Sequence, residues 1–384
     1  MSRISLSVPS FNGNEWKYVK DCIDSEWVSS AGKFVTLFEE KIAKYTGSKY
    51  AIACVNGTSA IQLSLRMIGV AQGDEVIVPT LTFIAPINAI YYNGGSPIFM
   101  DSDKHCNIDV EKTIDFIQKE TIYKRGFTYN KRTNNKIKAI IPVHVWGNAV
   151  YLDELYDICF KKNIKIIEDS SESLGTFYSQ GKFSGKHSGT IGDIGCLSFN
   201  GNKIITTGGG GMILTDDCTI ADKARYLTTQ AKDDPINYIH NEVGYNFRLT
   251  NMQAALGLAQ LENIEKILKN KKYNYKQYSS RLNANKFQML APPDYATNNH
   301  WLNILMINQE SNTIIKDELI QKLNNNDIES RPIWHLNHLQ KPYSKNQNYK
   351  IELAFKLVDK SVCLPSSSNL SDDSLSKIIS ILNG

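Results

Sequence analysis

Nowhere in these 384 residues is there a run of the ~20 apolar side chains needed to cross a bilayer. The opening stretch, MSRISLSVPSFNGNEW, pairs no basic segment with an apolar one, so no signal peptide is expected. No C-x-x-C pair occurs. The cysteines (Cys22, Cys54, Cys106, Cys159, Cys196, Cys218 and Cys363) are odd in number and scattered, which fits buried free thiols in a reducing compartment. No G-x-G-x-x-G follows an early strand, which disfavours a nicotinamide dehydrogenase, and no Walker loop ending in Gly-Lys-Ser/Thr is present. The net charge of +4 is too small to argue for nucleic acid, yet it would not repel a phosphorylated substrate. No repeat or low-complexity tract interrupts the chain. A cytoplasmic protein is expected, without membrane insertion or nucleic-acid binding.

What is present is an alternation. Short apolar runs lie at 50–55, 75–79, 96–101, 138–145, 164–169, 193–199 and 211–215. Helical patterns lie between them, at Thr58 to Ile68 behind a Thr/Ser cap and at Tyr151 to Lys162. Apolar strands alternating with helices predict an α/β fold with a mostly parallel, doubly wound sheet covered on both faces. Ligands of such sheets bind at the carboxyl ends of the strands. Residues 258–283 read as one long amphipathic helix. A boundary near 265 is expected, dividing a large domain, 1–265, from a smaller α+β domain, 266–384. Residues 121–137 look inserted, basic and aromatic; a solvated hairpin or loop is the simpler reading than a nucleic-acid patch.

Four segments carry chemistry. In VNGTSA (55–60), Gly57 allows close backbone approach at a helix start, and Thr58 and Ser59 add hydroxyl donors; free N–H groups and the positive helix end favour a phosphate there. A plain capped helix would look similar. In IKIIEDSSESLG (164–175), Asp169 closes an apolar strand. A buried carboxylate there needs a positive partner, such as a protonated pyridine nitrogen, unless it simply caps a helix. In CLSFNGNKIITTGGGG (196–211), Lys203 sits between a buried strand and a glycine run, an unusual place for a solvated surface charge. A lysine that attacks a carbonyl must first lose its proton, which burial or a nearby cation promotes. In GYNFRLTNMQAALGLAQL (244–261), Asn246 and Arg248 precede a helix rich in small residues, suited to close contact between subunits.

VNGTSA, PTLTFIAPINAI, EDSSESLG, SFNGNK followed by TTGGGGM, GYNFRLTNMQAA and RPIW stand in one order over nearly the whole chain, with SSAGKFVTLFE near its start. In this the chain resembles the DegT/StrS-type nucleotide-sugar aminotransferases, which are fold-type I pyridoxal-phosphate enzymes. The SFNGNK form resembles the branch acting on UDP-4-keto-6-deoxy-N-acetylhexosamines, in bacillosamine- and legionaminic-acid-type pathways. A GDP-4-keto-6-deoxymannose (perosamine-type) aminotransferase is the alternative. Relatives that dehydrate sugars look to have His where Lys203 stands, and a non-catalytic sensor would not need Asp169 and Lys203 intact.

The resemblance implies roles. Lys203 would join pyridoxal phosphate covalently and then move protons between the cofactor's C4′ carbon and the substrate carbon. Asp169 would pair with the ring nitrogen, Glu172 would lie near the 3′-oxygen, and Phe83 would stack on the ring. Gly57, Thr58 and Ser198 would hold the phosphate, with Asn246 reaching in from the partner of a homodimer and Arg248 lining the same shared site. Trp27, Ser29, Ser30, Arg331 and Trp334 would bind the nucleotide sugar, with His187 a further candidate, although a histidine on a surface loop is the simpler reading of it. L-Glutamate would be the amino donor. Gly209 stands where many relatives carry Glu. His335 and His338 invite a metal reading but lack a third ligand, so no metal is expected.

Overall fold

The computed structural model describes residues 3–308 and 315–384. All seven apolar runs form strands of one sheet. They are β1 (Tyr50–Cys54), β2 (Asp74–Pro79), β3 (Ser96–Met100), β6 (Lys136–Ile140), β7 (Lys165–Asp169), β9 (Ile194–Ser198) and β10 (Gly211–Thr215). β4 (Thr121–Lys124) and β5 (Phe127–Asn130) form the hairpin expected of the inserted segment, and β8 (Phe177–Tyr178) lies outside this sheet. The order is β1-β10-β9-β7-β6-β2-β3, extended beyond β3 by the short strand Asn348–Tyr349. From β9 to β3 every pairing is parallel, and only β10, along the main path, runs against its neighbours.

Alternation along the strands feeds two separate cores. Val76, Val78, Phe99, Ala139 and Ile167 join the core that contains Phe38, Ile61 and Leu258. Ile77, Ile98, Met100, Ile140 and Ile166 join the core that contains Phe116, Ile117 and Leu155. Helices therefore cover both faces, which is why the strands read as continuous apolar runs. Helices α1 (Glu15–Asp24), α2 (Lys33–Thr46), α3 (Gly57–Met67), α4 (Ala85–Tyr92), α5 (Val110–Lys119), α6 (Asp153–Lys161) and α7 (Cys218–Thr228) follow in chain order.

The single helix expected over 258–283 is two. α8 (Asn251–Glu262) ends at Asn263, and α9 (Ile264–Arg281) starts directly after it. Asn263 leaves helical geometry at φ −103° and ψ 6° while its side chain donates to the Ala259 carbonyl, capping the first helix. Beyond α9, an antiparallel sheet joins Phe287–Met289, Asn303–Ile307, Ser361–Leu364 and Arg331–Pro332 in that order. It has its own core, including Tyr278, Leu305, Val362 and Leu375. Of the cysteines, all free, only Cys218 is exposed. Among the described residues no helix is long and apolar enough to cross a membrane, and no cluster could hold a metal ion. His338 instead bonds Thr80 through Nδ1, at 2.6 Å.

Candidate active site

β1, β7 and β9 all point their carboxyl ends to one edge of the sheet, and the segments that follow them meet there. They enclose a cavity of about 410 Å³. Gly57, Thr58, Phe83, Asp169, Glu172, Ser198, Lys203, Arg331 and Trp334 all line it.

One end is built to receive an anion. Asn56 caps α3, its side chain accepting the Ser59 N–H at 2.7 Å. That fixes the first turn so that the remaining early N–H groups face outward. Gly57 is required by space. A Cβ there would come 2.9 Å from Ser198 Cβ and 3.1 Å from Ser171 Oγ, so two serine hydroxyls crowd against the helix start.

On the floor, Asp169 ends β7 and is 4% exposed. Its Oδ1 accepts the Ser171 N–H at 3.0 Å. Burial pushes its carboxyl above the usual range, against the pull of Ser171 and of the Lys203 charge. Its neighbour Glu168 points to the opposite side of the strand and is fully buried. Glu168 accepts His144 Nε2–H at 2.9 Å and the N–H groups of Gly189, Ile191 and Gly192 at 2.6–2.8 Å. Burial opposes its ionisation, but these donors together hold it below the usual carboxylate range. The Val150 N–H donates to His144 Nδ1, so the His144 proton lies on Nε2.

Lys203 closes a tight turn after β9. Its N–H bonds the Asn200 carbonyl, and Thr207 N–H returns to the Phe199 carbonyl, both at 3.0 Å. The glycine run then allows the turn back into β10, with Gly208 at φ +80°. At Gly209, Gln253 Nε2 donates to the backbone carbonyl at 2.6 Å, so this turn is tied to α8 without the Glu of many relatives. The Lys203 Nζ lies 3.4 Å from Glu172 Oε1 and 3.9 Å from the centre of the Trp301 ring. Glu172 Oε2 also accepts the Trp146 N–H at 2.8 Å, and burial raises its carboxyl to about 7. Trp146, at φ +54°, stacks on Trp334 with ring centres 5.1 Å apart.

Six expected residues lie elsewhere in this chain. His187 is no surface-loop residue and does not reach the cavity. It is fully buried, its Nε2 accepting the Gly175 N–H at 2.9 Å and its ring packed edge-on against Phe177. Arg248 is tied to Glu39 at 2.7 Å, away from the cavity lining. Trp27, Ser29 and Ser30 are exposed. Asn251 binds the Trp27 and Ser29 carbonyls, holding the segment against α8. Asn246 is exposed and also absent from the lining of its own chain's cavity. Sequence reasoning missed Trp301, Asn200, Asn202, Ser171 and Thr82, all in the lining. The two asparagines and Ser171 lie inside motifs already singled out; Trp301 stands in no such motif.

An anion seat on a helix start, a buried acid, an amine and an open aromatic wall form a donor set that fits pyridoxal phosphate. Gly57, Thr58, Ser171 and Ser198 would hold its phosphate, Asp169 its ring nitrogen and Lys203 its aldehyde carbon.

Comparison with known proteins agrees. Residues 9–383 match the model of the DegT/DnrJ/EryC1/StrS aminotransferase family. A GDP-perosamine synthase of Caulobacter vibrioides is 36% identical over 386 residues, covering 100% of this chain and 98% of that protein. A GDP-perosamine synthase of Vibrio cholerae is 36% identical, covering 98% of this chain and 97% of its own. The structure of Helicobacter pylori PseC, an aminotransferase involved in the biosynthesis of pseudoaminic acid, superposes with a TM-score of 0.88. It is 24% identical and covers 99% of this chain and 98% of its own, a likeness of fold. With the site and the family match in agreement, the chain belongs to the DegT/DnrJ/EryC1/StrS family of sugar aminotransferases, whose cofactor is pyridoxal phosphate.

Proposed function

We propose that this enzyme moves an amino group from L-glutamate to the 4-keto carbon of a nucleotide-linked 6-deoxy sugar, with GDP-4-keto-6-deoxymannose the preferred acceptor. The observation that carries the reading is the meeting of Lys203, Asp169, Glu172 and the α3 anion seat in one cavity. The GDP preference rests on the perosamine synthases among the relatives. A UDP-linked N-acetylhexosamine is the second reading, favoured by the SFNGNK form of the lysine turn.

Pyridoxal phosphate, when bound, supplies the electron sink and carries the amino group between the two substrates. The protein supplies placement and protons. Asp169 keeps a cationic partner at the floor, because an unpaired carboxylate there is costly. Lys203 gives and takes the proton at the reacting carbon, with Glu172 as its polar neighbour. Arg331 and Trp334 would meet the nucleotide sugar at the cavity wall. Asn246 belongs to the partner's site in a homodimer, which makes the dimer the working unit in the cytoplasm. Residue 265 is the proposed division of the chain, since the later part of α9 and one face of the antiparallel sheet share a core that contains Tyr278, Leu305 and Val362.

The test is mass spectrometry of products from glutamate with GDP-4-keto-6-deoxymannose and with UDP-4-keto-6-deoxy-N-acetylhexosamine. The amino sugar should form from the GDP substrate at the higher kcat/KM, with 2-oxoglutarate released. Lys203→Ala should abolish both turnover and the covalent link to the cofactor. Full turnover by that variant would refute the lysine assignment, and a preference for the UDP sugar would select the second reading.

A further inference from the structure

We propose that Lys271 is a positioning residue for the Lys203 amine, acting through Trp301, whose ring caps that amine. The inference rests on Lys203 being the lysine that joins the cofactor.

Lys271 lies on α9, well outside the cavity lining, and is 3% exposed. Its Nζ donates to two backbone carbonyls, of Trp301 at 3.1 Å and of Ser366 at 2.7 Å. Among the described residues no carboxylate forms an ion pair with it. Burial alone pulls it down to about 7. A methionine would fill this place without the cost of burying an amine. What the lysine adds is two donors that tie the Trp301 backbone to the Ser366 turn.

Trp301 is thereby fastened at three points. Its N–H donates to Asn299 Oδ1 at 2.9 Å, its Nε1–H to the Asn202 carbonyl at 2.6 Å, and its own carbonyl accepts from Lys271. Asn202 directly precedes Lys203. Asn299 Nδ2 donates to the Glu172 and Leu174 carbonyls at 2.8 and 2.9 Å. The tryptophan is thus tied directly to the residue before Lys203 and, through the Asn299 side chain, to the backbone of Glu172, whose carboxylate lies 3.4 Å from the Lys203 amine. Its ring lies 3.9 Å from the Lys203 Nζ, a contact that attracts the ammonium form and fills the space on that side of the amine. The other charged groups facing this amine are Glu172 and Asp169, with Arg331 also in the cavity wall. Without Lys271, the Trp301 carbonyl loses this donor and with it the link to the Ser366 turn.

The test reads capture of the cofactor by the cofactor-free protein. In that step the Lys203 nitrogen bonds the aldehyde carbon of pyridoxal phosphate. A C=N bond forms, the carbonyl oxygen leaves as water, and visible absorbance reports the rate. Lys271→Met is expected to slow capture about tenfold and to lower kcat by a similar factor, while KM for the keto sugar stays within about twofold. Trp301→Leu should slow capture as much or more. The double variant should be no slower than Trp301→Leu, because both act along one route. Capture by Lys271→Met at the wild-type rate would overturn the proposal, as would an equal slowing by Lys271→Met in the wild-type and Trp301→Leu backgrounds. Should Lys271→Met not fold, Lys271→Leu, which likewise has no donor for either carbonyl, is held to the same criteria. A wild-type protein that forms no absorbing link at all would instead sink the assignment of Lys203.

Discussion

The Lys203 amine and the Glu172 carboxylate lie 3.4 Å apart in the cavity wall, and the second Glu172 oxygen is held by the Trp146 N–H. Burial raises Glu172 to about 7; Lys203 and the Trp146 N–H oppose that rise, and Asp169 adds to it. The acid therefore changes charge near neutral pH, next to the group that must exchange protons. Glu172→Gln keeps the shape and removes the titration. The expected result is a kcat/KM profile that loses its inflection near pH 7. Stability gives an independent reading. A carboxyl raised from its ordinary 4.5 to about 7 holds more protons when folded, so wild-type stability falls as pH rises through that window. The slope is at most about 1.4 kcal/mol per pH unit, and the Gln variant should lack it. Urea unfolding at several pH values between 5 and 8 checks this; parallel curves for the two proteins would refute it.

Gly57 tests the anion seat. A Cβ there meets Ser198 Cβ at 2.9 Å and Ser171 Oγ at 3.1 Å, so Gly57→Ala must push apart the hydroxyls that converge on the α3 start. The helix itself tolerates alanine, and the backbone at 57 is not left-handed. The variant should fold with near wild-type thermal stability yet bind pyridoxal phosphate at least about tenfold more weakly, a loss of about 1.4 kcal/mol. Titration of cofactor-free protein measures it. Unchanged affinity would mean the phosphate sits elsewhere.

The strands were legible because a parallel sheet buried on both faces leaves uninterrupted apolar runs such as Val76–Val78 and Ile166–Ile167. Lys203, Asp169 and Gly57 were legible for a related reason: polar residues directly after buried strands must end up at one edge of the sheet. Trp301 and Lys271 were not, since only the folding of the second sheet against the first brings them near Lys203. Asn263 hid inside an unbroken helical period, and its capping bond has no periodic signature. Trp27, Ser29, Ser30, Asn246 and Arg248 were grouped with the cavity by resemblance, and a single chain does not bring them to it.

His187 shows how local composition misleads. The sequence around it, GKFSGKHSGTIGD, reads as an exposed loop, but the turn folds inward because Glu168 collects the N–H groups of Gly189, Ile191 and Gly192. His187 is buried at the start of that turn, and burial lowers it to about 4, so it is neutral. Its Nε2 accepts the N–H of Gly175, a residue at φ +88° where an added Cβ would strike Leu268. The ring fills the space between Phe177 and Tyr45. His187→Ala should therefore cost about 2–4 kcal/mol, through the cavity and the orphaned Gly175 donor. It should leave KM for the keto sugar within about twofold. Because the folded protein resists protonating this ring, wild-type stability falls as pH drops from the ordinary 6.5 toward 4. The alanine variant should lose that part of the dependence. Chemical denaturation at pH 5 and pH 7.5, with steady-state kinetics on the same samples, separates the possibilities. A raised KM with wild-type stability would return His187 to the substrate site.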